Sequence, residues 1–467
     1  MASKNNVQIQ QGSSTLSIPD LRNTFPGRVI APGDADYDQA RATFYGGIDH
    51  RPAVIIRVKD ADDVSRVVSL ARETGMELAI RSGGHSVVGH SVSDGGIVLD
   101  LSQMRDLQID VGHQTAWVEP GLTAGEYTRA AGAHGLATGF GDTGSVGIGG
   151  ITLGGGVGYL VRKFGLTIDD LLAAEIVMAD GQQLYVDADS HPDLFWAIRG
   201  GGGNFGVVTK FQMRLHKVDS VVGGMLFLPA TADTIASFIA LSESAPEELS
   251  GIANVMTAPP MPFLAKEYYG KPVIMAMLVY AGEVEEGERV IAPFRALATP
   301  LADMVRPMKY PEIYPPEQEG YHPVAASRTM FVDSIDREVA AMILDYIKSS
   351  NASMAVAQLR VLGGAMARVP ADATAFAHRK SKIMVNVAAL YDQPDQKATH
   401  EAWVADFATA LQQNDQGAYV NFLGHDGEER IRAAYPGQTW ERLTTIKAQY
   451  DPTNLFRLNQ NIAPAKK

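Results

Sequence analysis

The placement of its glycines constrains this chain more than any other feature. Gly83–Gly96 holds five, Gly139–Gly165 eleven and Gly200–Gly206 five, so nearly half of the 46 glycines occupy about a tenth of the 467 residues. Glycine permits positive φ and close approach of backbone to a ligand, at a cost in conformational entropy. Three such clusters, all in the first half of the chain, point to one extended ligand gripped by three loops. Ordinary turns account for any single cluster but poorly for three.

Two stretches fit the dinucleotide pattern G-x-G-x-x-G, namely Gly139-Phe-Gly141-Asp-Thr-Gly144 and Gly201-Gly-Gly203-Asn-Phe-Gly206. The pattern works when a strand precedes it and a helix follows, so that the helix N-terminus meets the pyrophosphate. Six glycines crowd the twelve residues after Gly144, which argues against a helix there. After Gly206, the apolar or β-branched Thr209, Phe211, Met213 and Leu215 alternate with Lys210, Gln212 and Arg214, the period of a strand. A dinucleotide fits as ligand, but not on a standard Rossmann unit.

Composition narrows the class. The length allows two or three domains, and 46% hydrophobic with 20% charged residues describes a globular chain. A net charge of -13 argues against a general nucleic-acid or anionic-membrane binder. No apolar stretch approaches ~18 residues and the amino terminus has no apolar leader, so a soluble, cytoplasmic protein is expected. Cysteine is absent, which excludes disulfides, Cys-ligated zinc, iron–sulfur clusters and a catalytic thiol. His90, His113 and His134 lack ligand spacing, so no metal is expected.

Periodicity predicts a strand over Val54–Val58, a helix over Asp60–Glu73 and a strand over Leu78–Ile80, a βαβ unit that delivers the chain into Arg81-Ser-Gly-Gly-His-Ser86. Strands follow at Ile97–Leu101 and Thr115–Val118. A hairpin joins Leu172–Met178 to Gln183–Val186, and a capping box at Ser190–Asp193 opens a helix through Ile198. Beyond residue 216 glycine thins. Helices are expected over Thr231–Ser244, Arg337–Ser349 and His400–Gln413, and strands over Val273–Tyr280, Met354–Val361 and Ile383–Leu390. This is a second domain, 216–418, of α+β type with a mostly antiparallel sheet. Tyr310–His322 reads as a loop over a surface or a site mouth, and Trp440–Tyr450 as a helix stopped by Asp451-Pro452.

These residues carry a resemblance. The Arg81–Ser86 motif is similar to the flavin-attachment motif of FAD-linked oxidases of the vanillyl-alcohol-oxidase and p-cresol-methylhydroxylase type. Val146–Gly156, Phe195–Thr209 and Tyr450–Ile462 agree in order. The last, with Tyr419-Val-Asn421, resembles the berberine-bridge-enzyme-like branch, which includes 6-hydroxynicotine and carbohydrate oxidases. The resemblance implies an α+β fold in which a p-cresol-methylhydroxylase-type FAD domain of two α/β subdomains is split. Its segments would be 1–215 and 419–467, with the substrate domain inserted over 216–418.

It also implies roles. His85 would bond covalently to the flavin 8α-methyl, for which a neutral imidazole is suited. Arg81, Ser82, Gly83, Gly84 and Ser86 would surround it. Thr143 occupies the position where relatives carry a second attachment cysteine. In a chain without cysteine, a covalent flavin is singly linked. Val146 resembles the oxygen gate of oxidases. Ser145, Gly147, Gly149, Gly150, Gly154, Gly155, Gly203, Asn204, Gly206, Val207, Val208, Asn421, Asn459 and Asn461 are expected cofactor contacts. Gln460 reads as a flavin or loop contact.

Tyr419 is the expected base or orienting phenol. Tyr419 and Asn421, two apart on an expected strand, would face one side. A free phenol near pKa ~10 needs a nearby cation to act near neutrality; His425, Lys382 and Arg379 are candidates. Asn386, the odd polar residue in its strand, would orient substrate rather than deprotonate it.

The expected activity is hydride removal from a CH–OH or CH–NH group of a small or medium molecule, with O2 reduced to H2O2, by a monomer or homodimer. Two alternatives stay open: a flavin dehydrogenase with another acceptor, and a non-catalytic nucleotide-binding module.

Overall fold

The computed structural model describes residues 16–314, 320–424 and 427–466. Near the amino terminus, helix Ala61–Thr74 begins at Asp60, whose carboxylate accepts the Asp63 N–H at 2.9 Å. It ends at Gly75 with φ 68°. Val64, Val67, Val68 and Ala71 are fully buried, as their spacing predicts. The flanking strands Val54–Arg57 and Leu78–Arg81 each run parallel to Ile97–Asp100, which lies between them. The βαβ unit therefore forms, but its two strands are not neighbours.

A second, five-stranded antiparallel sheet contains Leu107–Asp110, Thr115–Val118, Val207–Arg214, Leu171–Val177 and Gln183–Asp187, in that spatial order. Gly181, at φ 88°, closes the expected hairpin. Two local expectations fail. The capping box does not form: helix Pro192–Ile198 starts after His191 with no side-chain cap, because the Ser190 N–H instead bonds the Asp187 carboxylate at 2.6 Å. A seven-residue helix, Ile148–Gly154, does form inside the second glycine cluster. Close packing overrides low helix propensity there, since a Cβ on Gly149 would lie 3.1 Å from the Ser82 side chain.

The third sheet has eight antiparallel strands drawn from Ser220–Leu390. Alternate residues put Val385, Val387 and Leu359 into a core with Phe238, Ile343 and Phe407 from helices Ala232–Ser244, Arg337–Ser349 and Lys397–Leu411. The opposite face looks toward the glycine loops. Among the described residues, no helix is long and apolar enough to cross a membrane.

The carboxy-terminal segment adds helices Gly427–Ala434, which periodicity missed, and Gln438–Tyr450. Leu443, Ile446 and Ile462 join the same core as Phe195 and Phe211. The amide-rich tail is held by a fully buried ion pair, Lys447–Asp451, at 2.7 Å. The Asp451 carboxylate also accepts the N–H groups of Leu455 and Phe456 at 2.8 and 2.9 Å. Asn204 Oδ1, in the third glycine cluster, accepts the Ile462 N–H at 2.9 Å.

Candidate active site

The glycine loops, the tail and the open face of the large sheet enclose a cavity of about 530 Å³, within the range of small-molecule sites. Its loop side is knitted through Ser82. The Ser82 hydroxyl donates to the Pro120 carbonyl at 2.6 Å and accepts the Gly149 N–H at 3.2 Å. Two loops press back to back here: a Cβ on Gly83 would lie 2.2 Å from the Gly147 nitrogen. Gly150 and Gly203 do the opposite. A Cβ on either would meet nothing within 4 Å, so both present bare backbone to the open space.

His85 lies on the cavity wall, stacked on Phe44 with ring centroids 4.1 Å apart. Burial pushes its pKa down to about 4, against a hydrogen bond to the Ser145 backbone that raises it. The imidazole is therefore neutral at pH 7, with one ring nitrogen carrying a free electron pair.

Tyr419 is 2% exposed and also lines the cavity. The expected strand is instead a 3-10 turn, Val420–Phe422. The turn folds Asn421 back so that its Nδ2 donates to the Tyr419 hydroxyl at 2.9 Å. The Gly156 N–H donates to the same oxygen at 2.9 Å. Burial wins and holds the Tyr419 pKa above the ordinary phenol value; the N–H groups of Gly156 and Val157, the Asn421 amide and, least of all, the Arg360 charge offset only part of it. Gly154 and Gly155 make room for this arrangement. A Cβ on Gly154 would lie 1.9 Å from Asn421 Oδ1, and one on Gly155 would lie 3.1 Å from the Tyr419 ring.

The cation near Tyr419 is one that sequence reasoning did not single out. Arg379 is closed on Asp169 at 2.7 and 2.8 Å, Lys382 is exposed, and His425 lies outside the described residues. Arg360 instead lines the cavity, packs over the Phe422 ring at 5.3 Å and pairs with Asp142 at 2.5 Å. The available signal was the one that flagged Asn386, an odd polar residue in an apolar strand. Gln358 and Arg360 alternate in Met354–Val361 in the same way. Tyr321, from the stretch expected to cover a surface or a site mouth, is a further wall residue, as are Phe44 and Tyr45, which had no sequence signal.

The cavity brings together most of the expected contacts: Ser82, Gly83, Gly84, His85, Ser86, Thr143, Val146, Gly147, Gly149, Gly150, Gly203, Asn204, Gly206, Val207, Val208, Asn386, Tyr419, Asn421, Asn459 and Gln460. Five expected residues are not on its wall. Arg81 turns away, its guanidinium donating to the Ala40 carbonyl and to that of Arg41 at 3.1 Å. Ser145 supports His85 through its backbone, and Gly154 and Gly155 act behind Tyr419 and Asn421. Asn461 neighbours the wall and keeps a buried, unpartnered Oδ1. Among the described residues, no cluster of His, Asp or Glu could hold a metal.

Comparison with known proteins agrees with this architecture. Two family descriptions match: "FAD binding domain" over residues 52–187 and "Berberine and berberine like" over 418–463. (R)-6-hydroxynicotine oxidase of Paenarthrobacter nicotinovorans is 30% identical over 471 residues, covering 97% of this chain and 99% of that protein. The crystal structure of 6-hydroxy-D-nicotine oxidase from Arthrobacter nicotinovorans superposes with a TM-score of 0.85 at 27% identity, covering 94% of this chain and 98% of that one. Xylooligosaccharide oxidase from Myceliophthora thermophila shares the fold, with a TM-score of 0.82 at 24% identity over 96% of this chain and all of that one.

Proposed function

The chain belongs to the FAD-linked oxidoreductases, in their berberine-bridge-enzyme-like branch, and from that premise we propose that it is an oxidase acting on a CH–OH or CH–NH group of a small or medium molecule, with FAD attached through His85 alone. The residues present fit the cofactor. Bare backbone at Gly150 and Gly203 faces the cavity, and Asn459 Oδ1 is buried without a partner. Asp142 and Arg360 are the only charged side chains among the described wall residues, and they pair with each other. A pyrophosphate would thus be held by backbone N–H groups of the glycine loops, in the manner of an anion nest.

When bound, FAD supplies the two-electron acceptor, taking hydride from the substrate carbon and passing both electrons to O2, which leaves as H2O2. The chain's share is orientation and proton handling. The observation that carries the reading is the Tyr419 oxygen, held by Gly156 and Asn421 at the cavity wall. It takes the heteroatom proton, directly or through water, while Asn386 orients the reacting group. Val146, a small β-branched residue on the wall, leaves O2 room, which favours oxidase over dehydrogenase. The division into 1–215 and 419–467 around an inserted 216–418 is part of the same proposal, supported by the tail sharing the core of the amino-terminal segment.

The test is anaerobic addition of substrate classes to the flavin-loaded protein, followed by air. Bleaching and recovery within seconds, with H2O2 formed, is the expected result. Bleaching with recovery over many minutes would replace the oxidase by a dehydrogenase. No bleaching by any class would leave only a nucleotide-binding module.

A further inference from the structure

We propose that the substrate is an uncharged alcohol borne on an aromatic or alicyclic ring, selected by the side-chain oxygen of Asn386; this rests on the reading of the cavity as an oxidase site. The substrate side of the cavity is the open face of the large sheet. Strands Ala325–Val332, Met354–Val361 and Ile383–Leu390 lie side by side there, with Thr329 and Gln358 both in register with Asn386. Ser327, Gln358, Arg360 and Asn386 bring polar groups to this wall.

The charges are already spent. Arg360 gives Nη2 to Asp142 at 2.5 Å and to Gln358 Oε1 at 2.7 Å, Nε to Gln358 Oε1 at 3.2 Å and Nη1 to the Val157 carbonyl at 3.2 Å. With Asp142 so engaged, the described residues of the wall offer neither a free Lys or Arg for a carboxylate nor a free Asp or Glu for an ammonium group. Burying an unpaired charge against it is strongly unfavourable. The Gln358 amide is likewise used, its Nε2 donating to Asn254 Oδ1 at 3.0 Å.

On this sheet face, one buried acceptor among the described residues is left over. Asn386 Oδ1 is buried and has no hydrogen-bond partner among the described residues. A buried acceptor in that state calls for a donor from the ligand, and a hydroxyl supplies one without bringing a charge. Elsewhere the cavity wall includes the aromatic and aliphatic side chains of Phe44, Tyr321, Ala325, Ala388, Leu390 and Phe422. That surface suits a ring. A saccharide would bury several hydroxyls against it with too few partners. The inference therefore separates this chain from xylooligosaccharide oxidase despite the shared fold.

The test uses the flavin-loaded protein and a matched set of probes: 1-indanol, its methyl ether, 1-aminoindane, mandelate and xylobiose. Each is read by thermal shift and by anaerobic bleaching, in the wild type and in Asn386→Leu. The expected result is a shift and bleaching with 1-indanol, and binding at least about 10-fold weaker for the other four. In Asn386→Leu the preference for alcohol over ether should collapse to within about 2-fold, with flavin content unchanged. Comparable binding of xylobiose, mandelate or the amine would overturn the inference. So would an undiminished alcohol preference in Asn386→Leu, or no response to 1-indanol. If 1-indanol bleaches the flavin but air fails to restore it, the oxidase reading falls and the substrate class stands. If xylobiose bleaches it and air restores it, the reverse holds.

Discussion

The hydroxyl of Tyr419 accepts the backbone N–H of Gly156 at 2.9 Å, although 263 positions separate them in the chain. Asn421 donates to the same oxygen. Burial raises the pKa of this phenol on balance, and the N–H donors offset part of that cost while fixing the oxygen where it can relay a proton. Tyr419→Phe should therefore slow flavin reduction by roughly 10²- to 10⁴-fold, the range for a positioned acid–base group. Stopped-flow absorbance measures this, and the flavin content of the variant should match the wild type.

Gly154 tests the same arrangement from behind. Its substitution by alanine would drive a Cβ into Asn421 Oδ1, at 1.9 Å. Gly154→Ala should displace Asn421 and lower the reduction rate by about 10-fold or more, the scale of one lost hydrogen bond to a charged group. Bound flavin should be retained. A reduction rate equal to the wild type's would show that Asn421 is dispensable to Tyr419.

His85→Ala should release all flavin on acid denaturation, leaving a colourless pellet and free FAD in the supernatant. The wild-type pellet should stay yellow. With no cysteine in the sequence, no second thioether can mask the loss.

The depressed pKa of His85 sets a pH dependence. Burial holds the folded group at about 4, below its ordinary 6.5, so the unfolded chain takes up the proton first as pH falls. Its contribution to stability is complete above pH 6.5 and is lost as pH falls from 6.5 toward 4. In flavin-free protein, the melting temperature of wild type should fall toward that of His85→Gln across this window. Attachment of added FAD, which needs the free imidazole pair of the folded protein, should hold its rate from pH 6.5 to about 5 and fall only as pH passes through about 4. A rate that already drops about tenfold between pH 6.5 and 5 would count against a buried, neutral imidazole as nucleophile.

Val146→Phe should leave reduction by substrate intact and slow reoxidation in air by at least about 10-fold, if the small side chain is what admits O2 to the cavity. Stopped-flow mixing of reduced enzyme with aerated buffer separates the two half-reactions.

Much of the fold was legible because its elements are locally written. The helix Ala61–Thr74 shows its 3.6-residue period, its Asp60 cap and its Gly75 stop within sixteen residues. Strands such as Met354–Val361 and Ile383–Leu390 matched their expected bounds for the same reason. The failures were tertiary. Nothing near Ile148–Gly154 announces a helix, because what selects glycine there is Ser82, Gly83 and Asn421, all distant in sequence. Arg360 escaped notice because its partners, Asp142 and Val157, come from another part of the chain. His85 and Tyr419 stood out through motifs, whereas Phe44 and Tyr45 meet the cavity only through folding.

The stitching of the tail onto the third glycine cluster has a consequence for biosynthesis. The cavity takes part of its wall from Phe44 to Ser86 and part from Tyr419 to Gln460, and Ile462 closes on Asn204. During translation the first glycine loop emerges hundreds of residues before the side chains that complete its pocket. The pocket is therefore complete only when the chain is nearly finished, and a chain cut short before Tyr419 should hold flavin poorly. Yellow colour in a purified sample is then a report on completeness of synthesis as much as on folding.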